Sequence, residues 1–227
     1  MGDMERTFKG LKARQRAERD GYPENLSLRV HRALSWLDRA ERDDDPDSRF
    51  IFLWIAFNAA YATEIDDRVH LNEQATFNAF LEKLRELDGE KRLDDLVWSA
   101  YPNAIRVLLD NPYVFSCFWD HQKGVLTEAQ WKRSFDGAKK AAHTALARQK
   151  TPAVLSIVFS RIYTLRNQII HGGATWNGRV NRDQIRDCVA ILADLVPVVI
   201  EIMMDNPGAL WGGASYPVIK QKSIDTM

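Results

Sequence analysis

The stretch Arg166-Asn167-Gln168-Ile169-Ile170-His171, followed by Gly172-Gly173, gathers three polar side chains of different chemistry at the end of an otherwise apolar helical pattern. On a helix Asn167 and His171 are one turn apart and share a face, while Arg166 lies about 140° round from His171. The glycines let the last turn unwind, so that arginine and histidine meet around one ligand. Such a set suits phosphodiester cleavage without a metal. Histidine exchanges a proton with a ribose 2′-hydroxyl or a leaving oxygen, a role worth about 10²- to 10⁴-fold in rate. Arginine offers a permanently charged fork to the phosphate and to the charge that develops on it. Asparagine orients either one. The spacing also fits a bland arrangement in which Arg166 is a flank residue, Asn167 lies on the surface and His171 pairs with a C-terminal carbonyl.

Other chemistries lack their spacing. The five histidines never fall in HxxxH, HExxH or cysteine-paired patterns, so no metal site is expected. GxxxxGK[ST], GxGxxG and GxSxG are all missing, and no cofactor is implied. Two further residues bear on the candidate site. Asn58 shares a helix face with Ile51, Trp54 and Ile55, and so is either a second-layer partner of Arg166 or His171 or a filler of an interhelical gap. Trp176, just past the motif, is placed to stack on a base. Between Asp120 and Arg186 twelve basic residues stand against four acidic ones, although the whole chain has 31 of each sign. This excess fits a polyanion-binding cleft, with Arg161, Arg179 and Arg182 as candidate RNA contacts, and equally fits an ordinary solvated helix face.

Helices must carry these groups. Leu26, Leu28, Val30, Ala33, Leu34 and Leu37 recur at helical spacing and stop at Asp43-Asp44-Asp45-Pro46. Asp47 or Ser48 then caps a second helix, Arg49 to about Ile65, apolar almost all round and therefore central. Thr127 starts a helix to about Gln149. Thr151-Pro152 opens the motif helix, whose stripe is Leu155, Val158, Ile162, Leu165 and Ile169. A last helix runs from about Arg182 to Met204. Residues 66–126 read as a mainly helical insertion or lid, with breaks near Pro102 and Asn111-Pro112. No segment alternates long enough to demand a strand, so the fold class is all-α, a helical bundle. The expected organisation is a charged arm over 1–24, a helical domain over 25–205, and a tail over 206–227 that packs through Trp211 and Tyr216.

The 227 residues, 45% hydrophobic and 27% charged, suffice for a sizeable core and exclude disorder as the dominant state. Two cysteines without CxxC spacing suggest a reducing compartment, and with no signal sequence or spanning segment a cytoplasmic protein is expected.

At the Arg166–His171 stretch the chain resembles the HEPN superfamily, all-α domains marked by an arginine, four to six residues and a histidine, often with a polar residue directly after the arginine. The helix Phe52-Leu-Trp-Ile-Ala-Phe-Asn-Ala-Ala-Tyr61 looks like the aromatic early helix of several HEPN families. The resemblance spans roughly residues 26–65 and 127–205. It implies a metal-independent endoribonuclease of toxin–antitoxin or antiphage type, a homodimer whose two motifs face one cleft, with RNA as substrate and an antitoxin or other regulatory protein as partner. In that reading Arg166 holds the scissile phosphate, His171 transfers protons and Asn167 positions the site. The same resemblance also covers non-catalytic modules that bind nucleotides or RNA, or serve as scaffolds.

Overall fold

The computed structural model describes residues 6–61, 73–179 and 181–213, and among them ten α-helices and no strand: an all-α bundle. The elements are α1 (Phe8–Glu18), α2 (Glu24–Glu41), α3 (Pro46–Tyr61), α4 (Glu73–Leu87), α5 (Arg92–Asp95), α6 (Pro102–Asp110), α7 (Ser116–Gln122), α8 (Glu128–Ala147), α9 (Thr151–Ile170) and α10 (Arg182–Asp205). A π-helical turn, Leu96–Ala100, precedes α6, and a 3₁₀ turn, Pro112–Val114, follows it. No helix among the described residues is long and apolar enough to cross a membrane.

The centre is built by α2, α3 and α10. The α2 stripe Leu26, Val30, Ala33, Leu34, Leu37 and Ala40 is buried at three- and four-residue steps, as an amphipathic helix requires. α3 buries Phe50, Leu53, Trp54, Ala56, Phe57 and Ala60, and α10 is apolar almost throughout. α3 begins earlier than its sequence suggests, at Pro46. Asp45 serves as the cap, accepting from the Ser48 amide at 3.0 Å and the Ser48 hydroxyl at 2.7 Å. That frees Asp47 for another task. Residues 62–65, expected to continue this helix, lie outside the described residues, as do Tyr216 and the rest of the tail beyond 213.

Two expectations change in the packed chain. Residues 8–18 are a docked helix: Leu11 and Gln15 are buried, and Arg6 and Arg14 reach α10 at Glu201 (2.9 Å) and Asp205 (2.8 Å). The low apolar content hid this because only Phe8 and Leu11 supply apolar contact, and ion pairs with α10 and a bond from the Phe8 amide to Glu41 add to the hold. The segment read as a mainly helical insertion or lid is helical over much of its described part, 73–126, and shares the main core through Leu81, Leu84, Leu93, Val97, Ile105, Leu108 and Val114. At the tail, Trp211 packs in as expected, with its indole N–H on the Asn206 carbonyl at 3.0 Å.

Candidate functional site

α9 carries the motif, and its position is fixed by packing on two sides. Phe159 lies 4.3 Å from Phe57 and 6.3 Å from Trp54, ring centre to ring centre, and Tyr163 stands 6.0 Å from Trp54. The helix therefore runs along α3 and brings its C-terminus towards the start of α3. There it closes in a Schellman turn. Gly172, at φ +70°, donates to the Ile169 carbonyl at 3.2 Å, and Gly173 donates to the Gln168 carbonyl at 2.7 Å. A side chain on Gly173 would bring its Cβ within 3.1 Å of that same Gln168 oxygen. Gly172 suits the positive φ of the turn, and a Cβ at Gly173 would crowd the backbone it closes on.

The turn leaves the His171 imidazole exposed. Arg166, half-buried, donates from Nη1 to Asn167 Oδ1 at 2.9 Å, and its guanidinium lies 6.0 Å from the centre of the Tyr163 ring. Its Nε is buried without a hydrogen-bond partner, and no carboxylate pairs with Arg166 among the described residues. The structure thus joins Arg166 to Asn167 directly. His171 makes no side-chain hydrogen bond to either among the described residues, so convergence of histidine and arginine falls to a ligand between them. A half-exposed guanidinium with no counter-charge beside an exposed imidazole is able to bind a phosphate and exchange a proton with its ester oxygens.

Two carboxylates not read as part of the site set this geometry. Asp47, 7% exposed, accepts from the Asn177 amide at 2.8 Å and from Arg182 Nη2. Asp45 accepts from the Trp176 indole N–H at 3.2 Å. Burial works against ionisation of Asp45, but hydrogen bonds from Ser48, Trp176 and the Asp47 amide outweigh it and hold the carboxyl below the usual carboxylate range. The loop behind the histidine is thereby tied to the start of α3. On its other side Gln168 donates from Nε2 to the Tyr113 carbonyl at 2.7 Å and accepts from Asn181 Nδ2 at 2.6 Å. Gln168 sits inside the motif, but its amide gave no clue to partners 55 and 13 residues away.

The other candidate contacts divide. Trp176 is 75% exposed with its indole N–H tethered, and Arg179 is exposed with no ion pair among the described residues. Arg182 is committed to Asp47. Arg161 is a correction to the expected RNA contacts. It is 2% exposed, and its guanidinium lies 4.4 Å from the Phe115 ring centre and 5.9 Å from that of Phe135. Burial pushes its pKa down to about 10, so it is an interior cation serving the α7–α8–α9 junction. Asn58 is half-buried and bonds neither Arg166 nor His171 among the described residues. Of the basic excess, Lys132, Lys139 and Arg186 are paired with Glu128, Asp110 and Asp183. Arg133, Lys140, Arg148 and Lys150 remain exposed without an ion pair among the described residues.

No protein-family model, curated protein or solved structure matches this chain.

Proposed function

We propose that the protein is a metal-independent endoribonuclease of HEPN type, in which Arg166 holds the scissile phosphate, His171 transfers the proton and Asn167 fixes the arginine. The observation that carries this reading is the pairing at the end of α9. Arg166 is bonded to Asn167 and to no carboxylate among the described residues, five residues before an exposed histidine. A half-exposed guanidinium with no counter-charge keeps donors open to a phosphate. Tyr163 and Ile170, 48% and 46% exposed, flank Arg166 on α9 and support a homodimer that pairs two such helix ends. A role as a toxin or antiphage effector, with a cognate regulatory protein, follows from the resemblance.

The test is incubation of wild type and His171→Ala with total RNA in EDTA, with end analysis for 2′,3′-cyclic phosphates. Discrete products from wild type alone are expected, and His171→Ala should stay folded by circular dichroism. Equal cleavage by the two proteins would remove His171 from the reaction. No cleavage by either, with both folded, would favour a binding module.

A further inference from the structure

Beside the motif lies an open depression of about 500 Å³, lined by Arg106, Val107 and Asp110 of α6, Tyr113 of the 3₁₀ turn and Gln184 of α10. A volume in this range accommodates one nucleotide. Tyr113 is 52% exposed, yet its ring is held edge-on by Phe118 at 5.3 Å. Val107, 58% exposed, adds apolar floor. Two polar groups here are already occupied: Asn111 accepts from the Tyr113 amide at 2.8 Å, and Asp110 pairs with Lys139 at 3.0 Å. The side chains of Arg106 and Gln184 make no hydrogen bond or ion pair among the described residues. The depression is coupled to the candidate active site by the Gln168 amide, which grips the Tyr113 carbonyl on one side and Asn181 on the other. Gln168 is three residues before His171, and Gln184 is three residues after Asn181.

We propose that this depression is a nucleobase subsite flanking the scissile phosphate. Tyr113 stacks on the base, Gln184 reads its edge through the side-chain amide, and Arg106 takes the next phosphate along the strand. The inference rests on reading Arg166 and His171 as a ribonuclease pair, and it adds what that reading lacks, a source of sequence preference.

The experiment titrates wild type, Tyr113→Ala, Tyr113→Phe and Gln184→Ala with each of the four ribonucleoside 5′-monophosphates by calorimetry in EDTA, and maps the RNA cut sites of each protein. Wild type should favour one base. Tyr113→Ala should weaken that binding by about tenfold, as expected for loss of one stacking contact. Tyr113→Phe, which keeps the ring, should retain it, and Gln184→Ala should flatten the preference among bases. Cleavage by Tyr113→Ala and Gln184→Ala should spread over more sites. Absence of nucleotide binding to wild type, or binding indifferent to Tyr113→Ala and Gln184→Ala, overturns the subsite. So does binding that depends on Tyr113 while cut sites stay unchanged, which would mark a site for free mononucleotide. If wild type cleaves no RNA yet binds nucleotide through Tyr113, the nuclease reading fails and the nucleotide site survives it.

Discussion

Both ends of α10 are secured by arginines, and the two ends treat the guanidinium in opposite ways. At the C-terminal end Arg92, 7% exposed, donates to Asp88 at 3.1 Å, Glu201 at 3.4 Å and Asp205 at 2.6 Å, while Arg6 and Arg14 join the same two α10 carboxylates. Burial acts to discharge Arg92, but hydrogen bonds to Asp205 and Asp88 outweigh it and keep the cation more firmly charged than usual. At the N-terminal end Arg182 pairs with Asp47, whereas Arg166, on α9, has only the Asn167 amide and no carboxylate among the described residues. A guanidinium enclosed by carboxylates ties helices together. One left half-exposed with a neutral partner keeps its charge for an anion arriving from outside.

The largest expected effect tests this contrast directly. Arg92→Met should lower stability by about 3–5 kcal/mol in urea denaturation, because it leaves the buried Asp88 carboxylate without its cation. Arg166→Met should change stability by less than about 1 kcal/mol but reduce RNA cleavage by about 10²- to 10³-fold. Similar destabilisation by the two substitutions would break the comparison. Next in size, Asp47→Ala leaves Arg182 and the Asn177 amide without their acceptor, at a cost of about 1–3 kcal/mol. Limited proteolysis should then cut within residues 172–181 sooner than in wild type. Gly172→Ala forces a side chain into positive φ at the Schellman turn and should cost about 1 kcal/mol, read as a lowered urea midpoint.

The smallest effect is a pH response at the loop. Asp45 titrates below its ordinary value in the folded protein, so the unfolded chain takes up the proton first as the solution is acidified. Its contribution is therefore complete above the usual aspartate pKa of about 3.9 and is lost as pH falls through the lower folded-state value. Trp176 fluorescence should stay constant from neutral pH down to about 4 and change below it. A change centred near pH 6 would mean that another group holds the loop.

Much of the bundle could be read from residue types. The α2 stripe, Thr151-Pro152 opening α9, the apolar run of α10 and the glycines behind His171 each act through neighbours within one or two turns. What escaped was held by pairs distant in sequence. Asp47 reads as a helix cap, and only the fold brings it to Arg182, 135 residues on. Arg161 counts as one more cation in a basic region until Phe115 and Phe135 are folded over it. α1 lacked an apolar stripe because its docking depends on carboxylates almost at the other end of the chain. The motif itself was visible; the carboxylates and the amide that set its loop were not.

The reach of α1 to α10 has a consequence for the order of events during synthesis. Arg6 and Glu201 are 195 residues apart. At the usual pace of translation, roughly 5–20 residues per second, α1 waits about 10 to 40 s for its α10 partners to be made. Arg92 meets Asp88 four residues away as soon as α5 forms, but Glu201 and Asp205 reach it only when α10 has left the ribosome. The motif helix is thus synthesised before the α10 carboxylates that complete the arginine–carboxylate lock.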